Sequence, residues 1–399
     1  MMDKAFIYRN PGADNGAGPL KGLKVAIQPN ISKEGWPTEA GSNALVNFKA
    51  LEDATIVRRL QGAGAYICGS TRMSEFGFGL EGSSAGESVQ HNDADAELVL
   101  DLMGECRLAA GRASACGFKP SYGLISRLGL VGLIPSMECY GMLSGNIKNI
   151  RDMLKAVAGP DEMDFSLPDE KTPDFSAHKI DPKKNTIGLI TEAQASLPAG
   201  REKTFRAAVE ELKKAGFTVR EMSMPDFPLF SLVHMIVGSV EASSCAGRYD
   251  SVRYGRRAAG AKNWNDMYLL SRGAAFGLLL KSYLIQGAFF QFDRYEAFEN
   301  ACRIRARLIK EIQHLASQAE FLAFPMDSYD STGAPASLAG TYAQFSSTII
   351  ANITGQPALY LPPVSGTAQT GFQLAGPRLS DGRLLALGEH ILNARRGGK

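Results

Sequence analysis

Charge imbalance is missing from this chain. Its 399 residues carry 43 Lys and Arg against 41 Asp and Glu, a formal net charge of +2. That balance gives no electrostatic reason to expect nucleic acid or a membrane as a partner. Histidine is scarce: five residues, widely separated, form no HExxH or CxxH cluster, so no metal site or other cofactor is expected. The six cysteines (68, 106, 116, 139, 245 and 302) include no CxxC pair, and runs such as AYICG and SACGF suit buried, reduced thiols. No stretch of 18 or more apolar residues occurs, so a transmembrane helix is not expected. The start, MMDKAFIYRNPGADNG, lacks a basic segment followed by an apolar run, so a secretory signal is not expected either, and a cytoplasmic protein is the default.

What is present is ordinary for a large globular chain: 45% hydrophobic and 21% charged residues, with 42 Gly and 19 Pro. Strand and helix patterns alternate. Residues 1–18 read as an irregular lead-in, and KVAIQPNI (24–31) as a short strand entering a turn. ATIVRRLQGAGA has helical spacing and AYICGS follows as a buried strand, a unit that suits an α/β layer. IKNIRDMLKAVAG (147–159) is an amphipathic helix closed by Gly159 and Pro160. The acidic, Pro-rich run at 161–183 reads as a linker. Beyond it come a strand (185–191), a helix (201–216), a strand (FTVREMSMP), mostly helix over 264–318, a strand (319–325), and a helix leading into a strand over 347–363.

Between Asp101 and Gly123 the chain reads DLMGECRLAAGRASACGFKPSYG. This stretch resembles the core of the amidase signature family, DTGGSIR…GLKPTYG, with Asp101, Gly104, Arg107, Gly117, Lys119, Pro120, Tyr122 and Gly123 in the matching frame. Further segments carry the likeness: residues 50–79, the SYGLISRLGLVGLIPS run, VEELKKAGFTVREMSMP and ANITGQPALYLPP. EASSCAGRYDSVRYGRRA (241–258) resembles a segment of the glutamyl-tRNA(Gln) amidotransferase A subunits that leads into their glutamine pocket. The resemblance covers about residues 18–390. It implies an α/β fold, a large twisted mixed β-sheet covered by helices on both faces. The chain would form a single domain over 1–399: a signature core at 18–160, the linker at 161–183, and a peripheral half at 184–395 packing on the same sheet.

The family's chemistry uses a lysine, a serine in a cis peptide and a nucleophilic serine, with backbone N–H groups holding the acyl oxyanion. The resemblance places Gln28 at the lysine, Ser83 of GSSAGES at the cis serine and Glu105 at the nucleophile. An amide has no proton to exchange near neutrality, so Gln28 cannot be the base. A carboxylate attacks an unactivated amide weakly and repels a developing oxyanion. Ser83 and Ser84 read equally as small residues in a tight loop. Leu102, Met103, Gly104, Arg107 and Tyr254 are the expected oxyanion-hole and pocket residues. Glu105 is expected either to fill the backbone N–H nest, whose amide groups attract an anion, or to pair with Arg107. Tyr254 and Arg253 also read as packing residues. An arginine that binds the substrate carboxylate in the A subunits is replaced near Ser282 and Tyr283. Cys106 reads as a buried structural thiol.

These substitutions imply a degenerate amidase acting as a binding or structural subunit, with a partner subunit or a second copy and a small amide or carboxylate ligand. The alternative is a working C–N hydrolase or amidotransferase subunit that uses Ser83 or Cys106.

Overall fold

The structure is a computed structural model and describes residues 5–12, 16–176, 178–195, 197, 201–326, 337–363 and 371–397. Eleven strands among them share one mixed sheet: β1 (Phe6–Arg9), β2 (Lys24–Ile27), β3 (Tyr66–Thr71), β4 (Ala96–Asp101), β5 (Cys116–Lys119), β6 (Cys139–Ser144), β7 (Thr186–Ile190), β8 (Thr218–Met222), β9 (Phe321–Pro325), β10 (Ala358–Leu361) and β11 (Phe372–Ala375). Their order is β1-β3-β2-β4-β6-β5-β10-β11-β9-β7-β8. Antiparallel pairs run through the middle, from β4 to β9, and parallel pairs flank them on both sides. The two halves of the chain meet where β5 pairs with β10.

Side chains alternate along each strand, so both faces of the sheet are buried under separate cores. Leu98, Phe321, Ala323, Leu359 and Leu361 face one core; Val99, Leu322, Phe324, Ala358 and Tyr360 face the other. Helices Thr55–Gly62, Ile147–Val157, Arg201–Lys214 and Asp381–Gly397 cover the first. Helices Glu105–Arg112, Leu229–Ala246, Leu278–Phe292 and Tyr295–Gln318 cover the second. Even the glutamate inside β4 is buried: Glu97 accepts from Thr71 Oγ1 (2.9 Å), Ser88 Oγ (2.6 Å) and Gly86 N (2.9 Å).

Most expected elements are present within a few residues. No helix or strand lies in 161–181 among the described residues. That segment is nonetheless anchored, with Asp161 accepting from Thr55 Oγ1 (2.7 Å) and Ser126 Oγ (2.6 Å). One reading needs correction. The lead-in contains β1, which gains order by pairing with β3. Leu229–Ala246, 18 residues with mean hydropathy 1.4, is long and apolar enough to cross a membrane by length and composition, although His234 and Glu241 interrupt its apolar run. Half of it is buried, and it packs against the 278–292 and 295–318 helices.

Candidate functional site

At the end of β4 the chain turns through Leu102–Gly104 and enters the 105–112 helix. Gly104 makes that turn possible: its φ is +131°, and a Cβ there would lie 2.2 Å from Thr348 Oγ1. Glu105, the first helical residue, folds its side chain back over the turn. Its Oε2 accepts from the N–H groups of Leu102 (2.7 Å), Met103 (2.8 Å) and Gly104 (3.1 Å). Oε1 accepts from Gly79 N at 3.3 Å. The residue is 1% exposed. Four donors therefore converge on one carboxyl group at the positive end of a helix.

The carbonyls of the same peptide groups are held from behind. Asn352 Nδ2 donates to Asp101 O (3.0 Å), and Thr348 Oγ1 donates to Met103 O (2.6 Å). The ring of His234 meets Leu102 O through Nε2 (3.1 Å) and Tyr342 Oη through Nδ1 (2.9 Å). A carbonyl can only accept, so Nε2 carries the proton and Nδ1 accepts from Tyr342. Tyr342 in turn accepts from Tyr283 at 3.0 Å. Burial holds the His234 ring neutral, lowering it to about 3. Each peptide that donates to Glu105 Oε2 thus has its own carbonyl bonded, which polarises it and makes its N–H a stronger donor.

Burial first, and then the nearby Asp101 carboxylate, push the Glu105 carboxyl up to about 8, against the pull of the nest N–H groups. Arg107 does not contribute to this group. Its guanidinium is fully buried and bidentate on Asp101 (2.8 and 3.2 Å), and it also donates to Thr348 O (2.7 Å) and Asn352 Oδ1 (2.7 Å). Of the two arrangements open to Glu105, the nest is the one formed, and Arg107 makes a structural pair with Asp101 instead. All three nitrogens of the guanidinium are committed to these other partners.

The remaining expected residues separate. Gln28 is buried at the end of β2, where its Oε1 accepts from Leu100 N on β4 (2.8 Å). Ser83 stands elsewhere. Its hydroxyl donates to Arg72 O (3.2 Å) and accepts from Ala85 N (3.1 Å), and its carbonyl is held by Arg112 at the far end of the 105–112 helix (3.1 Å). No cis peptide occurs among the described residues. Cys106 is buried against Gly141, and burial pushes its thiol well above the ordinary value. Tyr254 is exposed on a loop beside Arg253 and Tyr249, not in a pocket around Glu105. Ser282 faces solvent, whereas Tyr283 points inward and stacks on Phe78 at 4.4 Å.

His234, Tyr342, Thr348 and Asn352 are the residues that sequence reasoning missed. ANITGQP contains Asn352 and carried only a fold resemblance; nothing in the spacing links it to Asp101, 251 residues away. Beside the site, Ser74, Glu75, Phe78, Glu81 and Gly277–Leu280 line a cavity of about 310 Å³.

Comparisons with known proteins cover nearly the whole chain. The chain matches the amidase family over residues 5–100 and 101–385. It is 31% identical to the glutamyl-tRNA(Gln) amidotransferase A subunit of Natronomonas pharaonis, over 98% of this chain and 100% of that protein. It is 34% identical to the protein of the same name from Thermus thermophilus, over 92% of this chain and 83% of that protein. The crystal structure of the Thermotoga maritima counterpart superposes with a TM-score of 0.80 at 23% identity, covering 97% of this chain and 87% of that one.

Proposed function

This chain belongs to the amidase family, and from that premise we propose that it is a non-hydrolysing member serving as a binding or structural subunit. The observation that carries the reading is Glu105, whose carboxyl group occupies three converging backbone N–H groups. In an acyl-transfer enzyme such donors must be free for the oxyanion of the tetrahedral intermediate. A resident carboxyl group competes for the same donors, and above its titration point adds repulsion to any developing negative charge. The family's other requirement, a base, meets Gln28, which cannot accept a proton and is committed to Leu100 N. Loss of one member of such a catalytic unit costs on the order of 10⁴ to 10⁶ in turnover.

The relatives bear the name of one subunit of an amidotransferase, which supports a role beside another protein. A cytoplasmic location is part of the same proposal and suits six cysteines in the thiol form. An altered hydrolase using Ser83 or Cys106 has less support, because the first bonds elsewhere and the second is a buried thiol with a raised pKa.

The test is labelling by a fluorophosphonate probe together with ammonia release from glutamine, asparagine and simple amides. We expect neither. Turnover abolished by Ser83→Ala would overturn the reading. The double change Glu105→Ser with Gln28→Lys tests the rest of the site: the nest donors remain in place, so regained labelling would show that Ser83 still serves as the bridge, and continued inactivity would match its bonding within its own loop.

A further inference from the structure

The helix Leu278–Phe292 has a face that the described residues leave uncovered. Its inner side is tightly docked: Leu280, Tyr283, Leu284 and Gly287 are buried, and a Cβ on Gly287 would lie 1.9 Å from Ser239 O. The outer side carries Leu278 (80% exposed), Ser282, Ile285 (70%), Phe289 (46%) and Phe292 (76%). The intervals between these positions are four, three, four and three, the spacing of a coiled-coil seam rather than of a broad apolar face. A single charged side chain, Lys281, lies within this 15-residue helix.

We infer that this seam is the two-fold interface of a dimer of this chain, two copies of the 278–292 helix packing antiparallel. A two-fold contact requires a self-complementary surface. An axis passing between Tyr283 and Leu284 sets Leu278 against Phe289 of the second copy and Ser282 against Ile285, each layer occurring twice. Large side chains meet smaller ones in both layers. The same axis brings Lys281 opposite Gln286, so no like charges meet. The seam's four apolar side chains with exposed Tyr295, three residues beyond Phe292, remove roughly 500 Å² per copy at ~100 Å² each, the larger part of the ~800 Å² per partner of a standard interface. A lipid surface would favour a row of cations along the helix's polar border, which one lysine does not provide. The inference is independent of whether the Glu105 nest is catalytic.

The experiment is sedimentation velocity and light scattering of the full chain over a concentration series. The expected mass is twice the 42.8 kDa of one chain, falling to one chain in Ile285→Glu and Phe289→Glu with unchanged circular dichroism and melting temperature. Orientation is read by disulfide trapping in a Cys302→Ser background, which removes the exposed thiol. Leu278→Cys combined with Phe289→Cys should cross-link under oxidation, while either change alone should not. A wild-type monomer at ~50 µM, or a dimer indifferent to both glutamates, would overturn the proposal. Cross-linking by Leu278→Cys alone would do the same for the antiparallel arrangement. So would a monomer that co-sediments with anionic phosphatidylglycerol vesicles, or binds a different polypeptide, through Ile285; either result assigns the face to that other occupant.

Discussion

The two ends of the 105–112 helix make opposite use of polar groups. At its start, Glu105 is buried in a ring of donors whose own carbonyls are bonded in turn. At its end, Arg112 reaches out to the carbonyl of Ser83, whose hydroxyl serves its own loop. Eight residues of helix span about 12 Å, so the two ends sit in separate surroundings. The N-terminal end keeps a rigid anion site, and the C-terminal end keeps only a loop.

Breaking the support of the first end should have the largest effect. Arg107→Met leaves Asp101 buried without its cation, and about 3–5 kcal/mol of stability should be lost in urea unfolding. Pairing it with Asp101→Asn should restore part of that loss, and no restoration would mean that Arg107 matters only for packing. Next comes Gly104→Ala, which places a methyl group on Thr348 and strains a positive φ. A cost of about 3 kcal/mol is expected, partly relieved by Thr348→Ala.

The third prediction concerns pH. A carboxyl raised to about 8 in the folded chain, from an ordinary value near 4.5, binds its proton more tightly folded than unfolded. Its contribution to stability is therefore complete below the unfolded value and declines as pH rises to about 8. Urea unfolding from pH 4 to 9 should show wild type losing stability relative to Glu105→Gln across that window. Parallel curves would mean that Glu105 titrates normally. Thr348→Val, which removes the hydrogen bond to Met103 O, should move the midpoint of that difference upward and cost about 1 kcal/mol. The smallest effect belongs to the other end: Ser83→Ala should leave the pH difference curve unmoved and change stability by less than ~1 kcal/mol. A shift there would mean that the two ends communicate.

Much of this was legible in order along the chain. The DLMGECR frame and its glutamate mark the turn after β4, because a turn, its glycine and its donors are local features. β1 was not legible, since four alternately buried and exposed residues become a strand only beside β3. Leu229–Ala246 gave no reading either; its amphipathic signal vanishes because it is packed on several sides. Tyr254 belonged to a run that resembles a pocket segment, yet it lies exposed, because loop position depends on neighbours rather than on its own residues. Arg107 illustrates the reverse: it sat in the expected frame, but Asp101 was the nearer partner for its fork.

The sequence by itself determined that the chain belongs to this fold, that a glutamate stands after the β4 turn, and that a glutamine stands after β2. Those follow from local spacing and residue chemistry. Only the tertiary structure decided what the glutamate does. Its donors become strong because Asn352, His234 and Thr348 arrive from residues 132 to 251 positions away to hold the carbonyls behind them. Hydrogen bonding acts across space within about 3 Å, and distance along the chain gives no measure of it.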